Sequence, residues 1–508
     1  MSSMKIGLNV FADKIVNGDK ATKAVTDDGA LIDYAVCHVE GQNYTTPQSV
    51  ELAHALSSFF EERDTDFITN FEYANWTQNC VAADGTKWAD KSEGCHRVKL
   101  PDEFVKALAE SGRFKGIMYD EFEHMITNRN PTIQIATKLR KIIPVFPLLK
   151  GKDGLKQGEL LKKQLADYVD SFKAQGAPAM LGEHVYPTFF HKFAESGITP
   201  NYKSLKENIS DVTFAIAAGA AMQYDLPLSN CIDNWYMLTN PGHSADEMYH
   251  NLLFAYLAGV DSAYVESVLV MADDEGKLTE YGEQFKRFCR EYKGKDRGYS
   301  LRDYRPEIGI VRYDDGFWGQ WYPILFKKCL FGNPKIKPDF RSREVFKVFN
   351  ILTHGETCKN GFSFGRFSLW SLLHLRHFSF VSLNSTAVFD HNADRRVLDS
   401  LKLCFLCGIH IPEKTLKAVR DCVKENGMTA VAPKRFAPAD IVSQASGKIS
   451  EVKDGKGKWI VVKNYRTGKL KKYVKEFIGQ KGEMRLTFAE KEVVMKIHKD
   501  KDSFSVIK

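Results

Sequence analysis

Carboxylic acids stand at the ends of several apolar runs in the first 300 residues. FKGIMYD leads into Asp120 and Glu121, PAMLGEH contains Glu183, LPLSNCIDNW contains Asp233, and DSAYVES contains Glu266. One acid after a strand is common in a solvated loop, but several acids around one cavity would push one another's pKa values apart. One carboxyl group could then protonate a leaving oxygen while another attacked or activated water, which is the chemistry that cleaves glycosidic bonds.

The elements around these acids alternate between short apolar runs and longer helical patterns from residue 4 to about 295. This alternation is typical of β–α units around a parallel sheet. The predicted strands are KIGLNVF (5–11), LIDYAVCHV (31–39), DFITNFE (66–72), FKGIMYD (114–120), PAMLGEH (178–184), LPLSNCIDNW (226–235) and DSAYVES (261–267). A (β/α)8 barrel needs about 250 residues, and its catalytic groups lie at the carboxyl ends of its strands. We therefore predict a TIM barrel over residues 1–303 with the acids at its mouth.

Seven predicted strands leave a closed barrel one strand short. One candidate for the eighth is KIIPVFPLL (141–149), despite its two prolines, and the other is a short strand after Glu266. Glu266 ends strand eight in the first case and strand seven in the second, whereas Glu121 follows strand four in both. The two acids lie far apart around the rim in either count. Glu121 and Glu266 are therefore the preferred catalytic pair, followed by Glu183 and then Asp233.

Other side chains near the strand ends are expected to bind substrate. They are Asp120, Glu72, Trp76, His124, His184, Asn234 and Trp235. Tryptophan rings can stack on sugars, and Trp88 is a further candidate for that role. Each acid alone could instead cap a helix or form an ion pair. No His-x-x-x-His spacing joins His124 or His184 to these acids, so we predict neither a metal site nor a cofactor.

The pattern changes after about residue 303. Residues 304–438 again alternate strands with helices and predict a small, doubly wound α/β domain. A polar linker (439–457) leads to KWIVVKNY, MRLTFAEKEVVMKIHK and DSFSVIK, which alternate like antiparallel strands. Residues 457–508 are therefore expected to form a C-terminal β-rich domain.

Net charge and hydrophobic pattern limit the kinds of partner that the protein is expected to bind. The 508 residues carry a net charge of +7, and no aromatic-and-basic module of a known nucleic-acid-binding type accompanies the basic runs near the C-terminus. No apolar run is long enough to span a membrane. The start MSSMKIGLNVF does not resemble a signal peptide, so we expect a cytoplasmic protein unless a secretory signal was trimmed. No phosphate-binding glycine motif follows a strand.

One stretch resembles a known group of enzymes. HNLLFAYLAGVDSAYVES, followed by LTEYGEQFKRF, is similar to the end of the catalytic barrel in clan A glycoside hydrolases, where an Ala–Gly turn precedes a strand bearing an essential Glu. The order of barrel, amidotransferase-like α/β domain and β domain resembles that of family 42 β-galactosidases. The resemblance implies a retaining hydrolase acting on an oligosaccharide or glycoside, in some cases as a homo-oligomer. Asp120 departs from it, because that clan places Asn before the acid/base Glu.

Two other readings of the barrel remain open. A glycosyl transferase or phosphorylase could use the same carboxylates, and a barrel that binds glycans or a protein without turnover could also present them. Phosphate dependence would identify a phosphorylase. Saturable binding without product would identify a binding protein.

Overall fold

The protein consists of a closed barrel followed by two further sheets. The computed structural model describes residues 3–27, 31–40, 44–72, 81–90, 92–128, 144–184, 187–206, 208–236, 239–318, 329–359, 379–465, 469–498 and 502–508. Among these residues, no helix combines the length and the apolar character needed to cross a lipid bilayer.

Eight parallel strands close the barrel, which confirms the predicted fold class. They are β1 (Lys5–Phe11), β2 (Tyr34–His38), β3 (Asp66–Asn70), β4 (Phe114–Asp120), β5 (Met180–His184), β6 (Thr199–Leu205), β7 (Ser229–Asp233) and β8 (Ser262–Glu266). Neighbouring strands pair in chain order, and β8 pairs with β1. A short hairpin, Ala89–Asp90 with Arg97–Val98, lies between β3 and β4.

The missing eighth strand is β6, and both sequence-based positions for it were wrong. Within 141–149, residues 144–149 form no strand and 141–143 lie outside the described residues. The segment after Glu266 is a short helix, Val268–Met271. The β6 sequence TPNYKSL escapes a search for apolar runs because its Asn201 and Lys203 face a polar part of the barrel interior, where they contact Tyr264 and a group of carboxylates.

The barrel interior has an apolar layer and, nearer the carboxyl ends of the strands, a polar layer. Its lower layer includes Val36, Ile68, Met118, Leu181, Cys231 and Tyr264, which form one buried cluster. Two residues further along the same strands stand His38, Asn70, Asp120, Glu183, Asp233 and Glu266, all buried. Because residues two apart in a strand share a face, these polar side chains form the next layer up, at the carboxyl ends of the strands.

Helices surround the barrel. They span Ala12–Val16, Lys20–Thr26, Thr46–Glu62, Asp102–Ala109, Phe122–Asn128, Gly154–Ala174, Phe190–Glu195, Ser210–Tyr224, Ala245–Leu257, Val268–Met271 and Glu280–Tyr292. The helix Ala245–Leu257 begins with a capping box: the Ser244 side chain accepts from the Glu247 backbone N–H, and the Glu247 carboxylate accepts from the Ser244 N–H. The last barrel helix, Glu280–Tyr292, is capped at its N-terminus by Thr279, whose side chain accepts from the Gly282 backbone N–H.

A six-stranded sheet follows the barrel. Its strands are β9 (Ile308–Arg312), β10 (Thr386–Phe389), β11 (Leu403–Cys407), β12 (Thr429–Pro433), β13 (Ile449–Asp454) and β14 (Gly457–Val462), in the spatial order β10-β9-β11-β12-β14-β13. The four leading strands are parallel in the doubly wound order 2-1-3-4. Its helices are Glu344–Leu352, Arg395–Leu398, Glu413–Asn426 and Ala439–Gln444.

One strand belongs to a different sheet from the one expected. KWIVV, predicted for the C-terminal β region, forms β14 and pairs in parallel with β12. Its core face carries Trp459 and Val461, which are buried, so the strand completes the α/β core. The C-terminal sheet then contains β15 (Glu483–Thr487), β16 (Glu492–Ile497) and β17 (Phe504–Val506), preceded by the helix Leu470–Val474. The domain boundaries remain predictions, because sheet membership alone does not define a folding unit.

The barrel packs closely on the second sheet through a glycine. A Cβ at Gly219, in the helix Ser210–Tyr224, would overlap the carbonyl of Val388 in β10. Helix propensity alone predicts that Gly219→Ala stabilises the protein by up to about 1 kcal/mol. We expect the opposite, a loss of about 1–3 kcal/mol in the free energy of unfolding, because the backbones must separate. Urea denaturation tests this, with Gly112→Ala, which meets nothing within 4 Å, as the control.

Candidate active site

The centre of the polar layer is a lysine that the sequence did not single out. Lys203, in β6, is 1% exposed, and its ammonium group lies among four carboxylates. The distances from Nζ are 2.8 Å to Glu183, 3.0 Å to Glu266, 3.1 Å to Asp233 and 3.6 Å to Asp120. Burial alone would lower the pKa of Lys203, but these acids raise it well above its usual value. Lys203 is therefore a permanent cation and not a nucleophilic amine.

A second lysine extends this group toward solvent. Lys206 Nζ lies 3.0 Å from Asp233 Oδ2 and 3.1 Å from Glu121 Oε1. Acidic and basic side chains therefore alternate in consecutive contact from Glu121 through Lys206, Asp233 and Lys203 to Glu266. Glu121 and Lys206 also have positive φ angles, 52° and 37°. Non-glycine residues keep such strained backbones where the surroundings hold them, commonly at functional sites.

Glu121 and Glu266, at the two ends of this series of contacts, are slightly more exposed to solvent than Asp233 in its middle. The side chains of Glu121 and Glu266 are 7% and 9% exposed. Asp233, Glu183 and Asp120 are fully buried. Of these five acids, only Glu121 and Glu266 therefore keep some exposed side-chain surface.

The environments also separate the acids by protonation. Burial and the negative charge of Asp233 raise the pKa of Glu266 to about 8, against the opposing effect of Lys203. Burial would raise the pKa of Asp233 as well, but Lys203 and Lys206 outweigh it and lower that pKa to about 2. At neutral pH Glu266 is thus a carboxylic acid beside a carboxylate, which is the division that acid–base catalysis requires.

Several hydrogen bonds hold the acids in place. Tyr264 donates a short hydrogen bond to Glu183, and Asn201 donates to the Tyr264 hydroxyl at 3.1 Å. Cys231 Sγ lies 3.3 Å from Glu266 Oε2. Asn234, a predicted substrate contact, is buried and donates to the Glu266 carbonyl at 3.2 Å, so it positions the backbone of that acid.

The structure places the other predicted residues unevenly. Trp235 is partly exposed beside Asp233, and its backbone N–H donates to the Asp233 carboxylate at 2.9 Å. His184 is fully buried between β5 and the rings of Phe190 and Phe193, away from the mouth. Trp88 is also fully buried, which excludes it as a sugar platform. Trp76 and the His124 side chain lie outside the described residues.

Glu72 does reach the site. It follows β3, its side chain is 24% exposed, and its Oε2 lies 3.6 Å from His38 Nδ1. Burial and the charge of Glu121 raise its pKa to about 7. Single atoms of His38, Glu72, Asp120 and Glu266 all lie within 4.8 Å of one another, a spacing that could also suit a metal ion.

Four polar residues of the site were not predicted from the sequence: Lys203, Lys206, His38 and Asn70. The one available signal for the lysines was their position: two cations three residues apart in a short segment between helices, opposite acid-rich strand ends. His38 and Asn70 end strands that were predicted, so their place at the mouth could have been inferred from the same rule that selected the acids.

Comparisons with known proteins do not identify the activity of this protein, so its assignment rests on the geometry of the site. No protein-family model matches the chain, and no curated protein matches it in sequence. Similar solved structures include α-L-fucosidase isoenzyme 2 from Paenibacillus thiaminolyticus (10% identity, TM-score 0.49, 85% of this chain and 64% of that one). Others are the exo-carrageenase GH42 from Bacteroides ovatus (9%, 0.43, 97% and 73%) and the β-amylase catalytic domain from Paenibacillus polymyxa (8%, 0.39, 57% and 99%). At these values the likenesses support no inference about activity.

Proposed function

We propose that the protein is a glycoside hydrolase in which Glu266 is the general acid and Glu121 the nucleophile or base. The observation that supports this most directly is the series of contacts from Glu121 to Glu266. Its two ends are the carboxyl groups of the series that keep some exposure, whereas Asp233 in its middle is fully buried. A glycosidic bond lying across the mouth could then meet both groups, as hydrolysis by either known geometry requires.

The charges suit these two roles. Glu266 is protonated at neutral pH and has a proton to give to the leaving oxygen. Lys206 contacts Glu121 and favours its ionised form, which is the form that attacks an anomeric carbon or removes a proton from water. A retaining mechanism is part of the proposal, with Glu121 forming the covalent glycosyl intermediate.

Hydrolysis of a glycoside panel tests the proposal. The full chain is incubated with aryl glycosides and neutral oligosaccharides, with and without phosphate, and new reducing ends are measured. We expect phosphate-independent hydrolysis that the double variant Glu121→Gln/Glu266→Gln abolishes. Proton NMR of the first product should show the anomer of the substrate. Absence of turnover on the whole panel, or turnover that survives in the double variant, would refute the proposal.

The pH dependence follows from the pKa of Glu266. Because the acid must carry its proton, kcat/KM is expected to fall tenfold per pH unit above about pH 8. Asp233→Asn removes a negative charge that helps to raise this pKa, so the alkaline limb should move to lower pH. A limb that stays in place in Asp233→Asn would contradict the assignment of Glu266.

A further inference from the structure

His38 has a fixed tautomer because of Asn70. The Asn70 amide oxygen accepts from the backbone N–H of Glu72 at 2.9 Å, which fixes which side of the amide bears nitrogen. The Asn70 Nδ2 group donates to Asp120 Oδ2 at 3.0 Å and lies 2.9 Å from His38 Nε2. His38 Nε2 must then accept, so in the neutral ring the proton is on Nδ1. Burial, with Lys203 as a second cause, lowers the pKa of His38 to about 3 and keeps the ring neutral.

The Nδ1–H group lies on the side of Glu72 and has no hydrogen-bond partner among the described residues. His38 is 4% exposed, and the nearest carboxyl oxygen, on Glu72, is 3.6 Å away, which is too long for a good hydrogen bond. A buried donor left unsatisfied costs about 1–3 kcal/mol. A ligand that brings an acceptor to this point would recover that cost.

A cation does not fit this position. The spacing of His38, Glu72, Asp120 and Glu266 would suit a metal, but a metal ligand must present a lone pair, and His38 presents a proton. Lys203 Nζ already lies 3.0 Å from Glu266 and 3.6 Å from Asp120, so a second cation would meet its charge. An ammonium group would likewise find a donor where it needs an acceptor.

An anion does not fit either, because the carboxyl group of Glu72 is the nearest to the donor, and one oxygen each of Asp120 and Glu266 lies within 4.8 Å of a Glu72 oxygen. An anion would therefore meet further acceptors where it needs donors. A hydroxyl group meets both requirements, since it accepts from His38 and donates to a carboxyl group. We propose that His38 and Glu72 together bind a ring hydroxyl of a neutral sugar next to Glu266. This inference rests on the proposed function and narrows its substrate class to neutral sugars.

A matched pair of variants tests the role of the donor. His38→Asn can place an amide N–H where Nδ1–H stands, whereas His38→Leu removes it, and both lose the contact to Asn70. The probes are the best aryl glycoside of the panel and its monodeoxy analogues. We expect His38→Leu to lower kcat/KM about 10- to 100-fold and His38→Asn to restore most of it. One deoxy analogue should have a lower kcat/KM than the parent glycoside in the wild type and in His38→Asn. In His38→Leu the same analogue should react as well as the parent glycoside.

Outcomes against this inference differ from outcomes against hydrolysis. Turnover with the same deoxy penalties in His38→Leu as in the wild type would overturn the hydroxyl site and leave the hydrolase in place. Calorimetric titration of chelator-treated protein with Zn²⁺, Mn²⁺ or Ca²⁺ that showed stoichiometric binding, lost in Glu72→Gln, would also overturn it. If no glycoside is turned over, thermal shifts with neutral monosaccharides decide the matter. A shift lost only in His38→Leu upholds the site without the hydrolase, and no shift in the wild type refutes both.

Discussion

Replacing Glu266 with glutamine is expected to slow hydrolysis by an amount that depends on the leaving group. Glutamine cannot protonate the departing oxygen, so glycosides with poor leaving groups should lose about 10²–10⁴-fold in kcat/KM. Dinitrophenyl glycosides need little protonation and should keep most of their rate. In the same variant the fall in activity above about pH 8 should disappear, because its cause is the titration of Glu266 itself.

Glu121→Gln should behave differently, since a nucleophile or base is needed for every substrate. We expect losses of similar size for good and poor leaving groups. Steady-state kinetics on a series of aryl glycosides compares the two variants, with the exposed Glu110→Gln as the control. The opposite leaving-group pattern would exchange the two roles. A uniform loss in both variants would remove Glu266 as the acid.

The fold was predictable where strands are apolar. Seven barrel strands appeared as short runs such as KIGLNVF and FKGIMYD, because one face of each packs under helices and the other fills the lower barrel interior. The pattern failed at β6, whose inward positions Asn201 and Lys203 belong to the polar part of the barrel. It also failed at β14, because an apolar strand does not indicate which of two nearby sheets it will join.

The positions of the acids in the site were predictable from the sequence, whereas their pKa values and exposure were not. A rule about strand ends located Glu121, Glu183, Asp233 and Glu266, since it depends only on where each strand stops. The pKa values of Asp233 and Glu266 depend on the two lysines that contact the acids, and those contacts join residues 20 to 85 positions apart. Spacing in the chain contains no trace of such contacts. Lys203 is therefore the residue on which the site depends most and which sequence reasoning could least identify.

Replacing Lys203 should therefore have a large effect on the stability of the protein. Lys203→Met leaves Glu183 and Asp233 buried beside a methyl group that cannot balance their charge. Removing one partner of a buried ion pair typically costs about 3–5 kcal/mol, and we expect a loss of that size in the free energy of unfolding at pH 7.5. The exposed ion pair of Lys5 with Asp66 supplies the control, since Lys5→Met should cost less than about 1 kcal/mol.

The sign of the pH dependence separates lost charge from lost packing. Without Lys203 the neighbouring carboxyl groups have higher pKa values in the folded protein than in the unfolded chain, so the folded state binds more protons. The stability that Lys203→Met loses relative to the wild type should therefore become smaller as the pH falls from 7.5 to 5. Adding Glu183→Gln to Lys203→Met should recover part of that loss, because it removes one unbalanced charge. Guanidinium denaturation at both pH values measures this. A deficit that is equal at the two pH values and unchanged by Glu183→Gln would mean that Lys203 serves the packing of the barrel and does not set the charge of its acids.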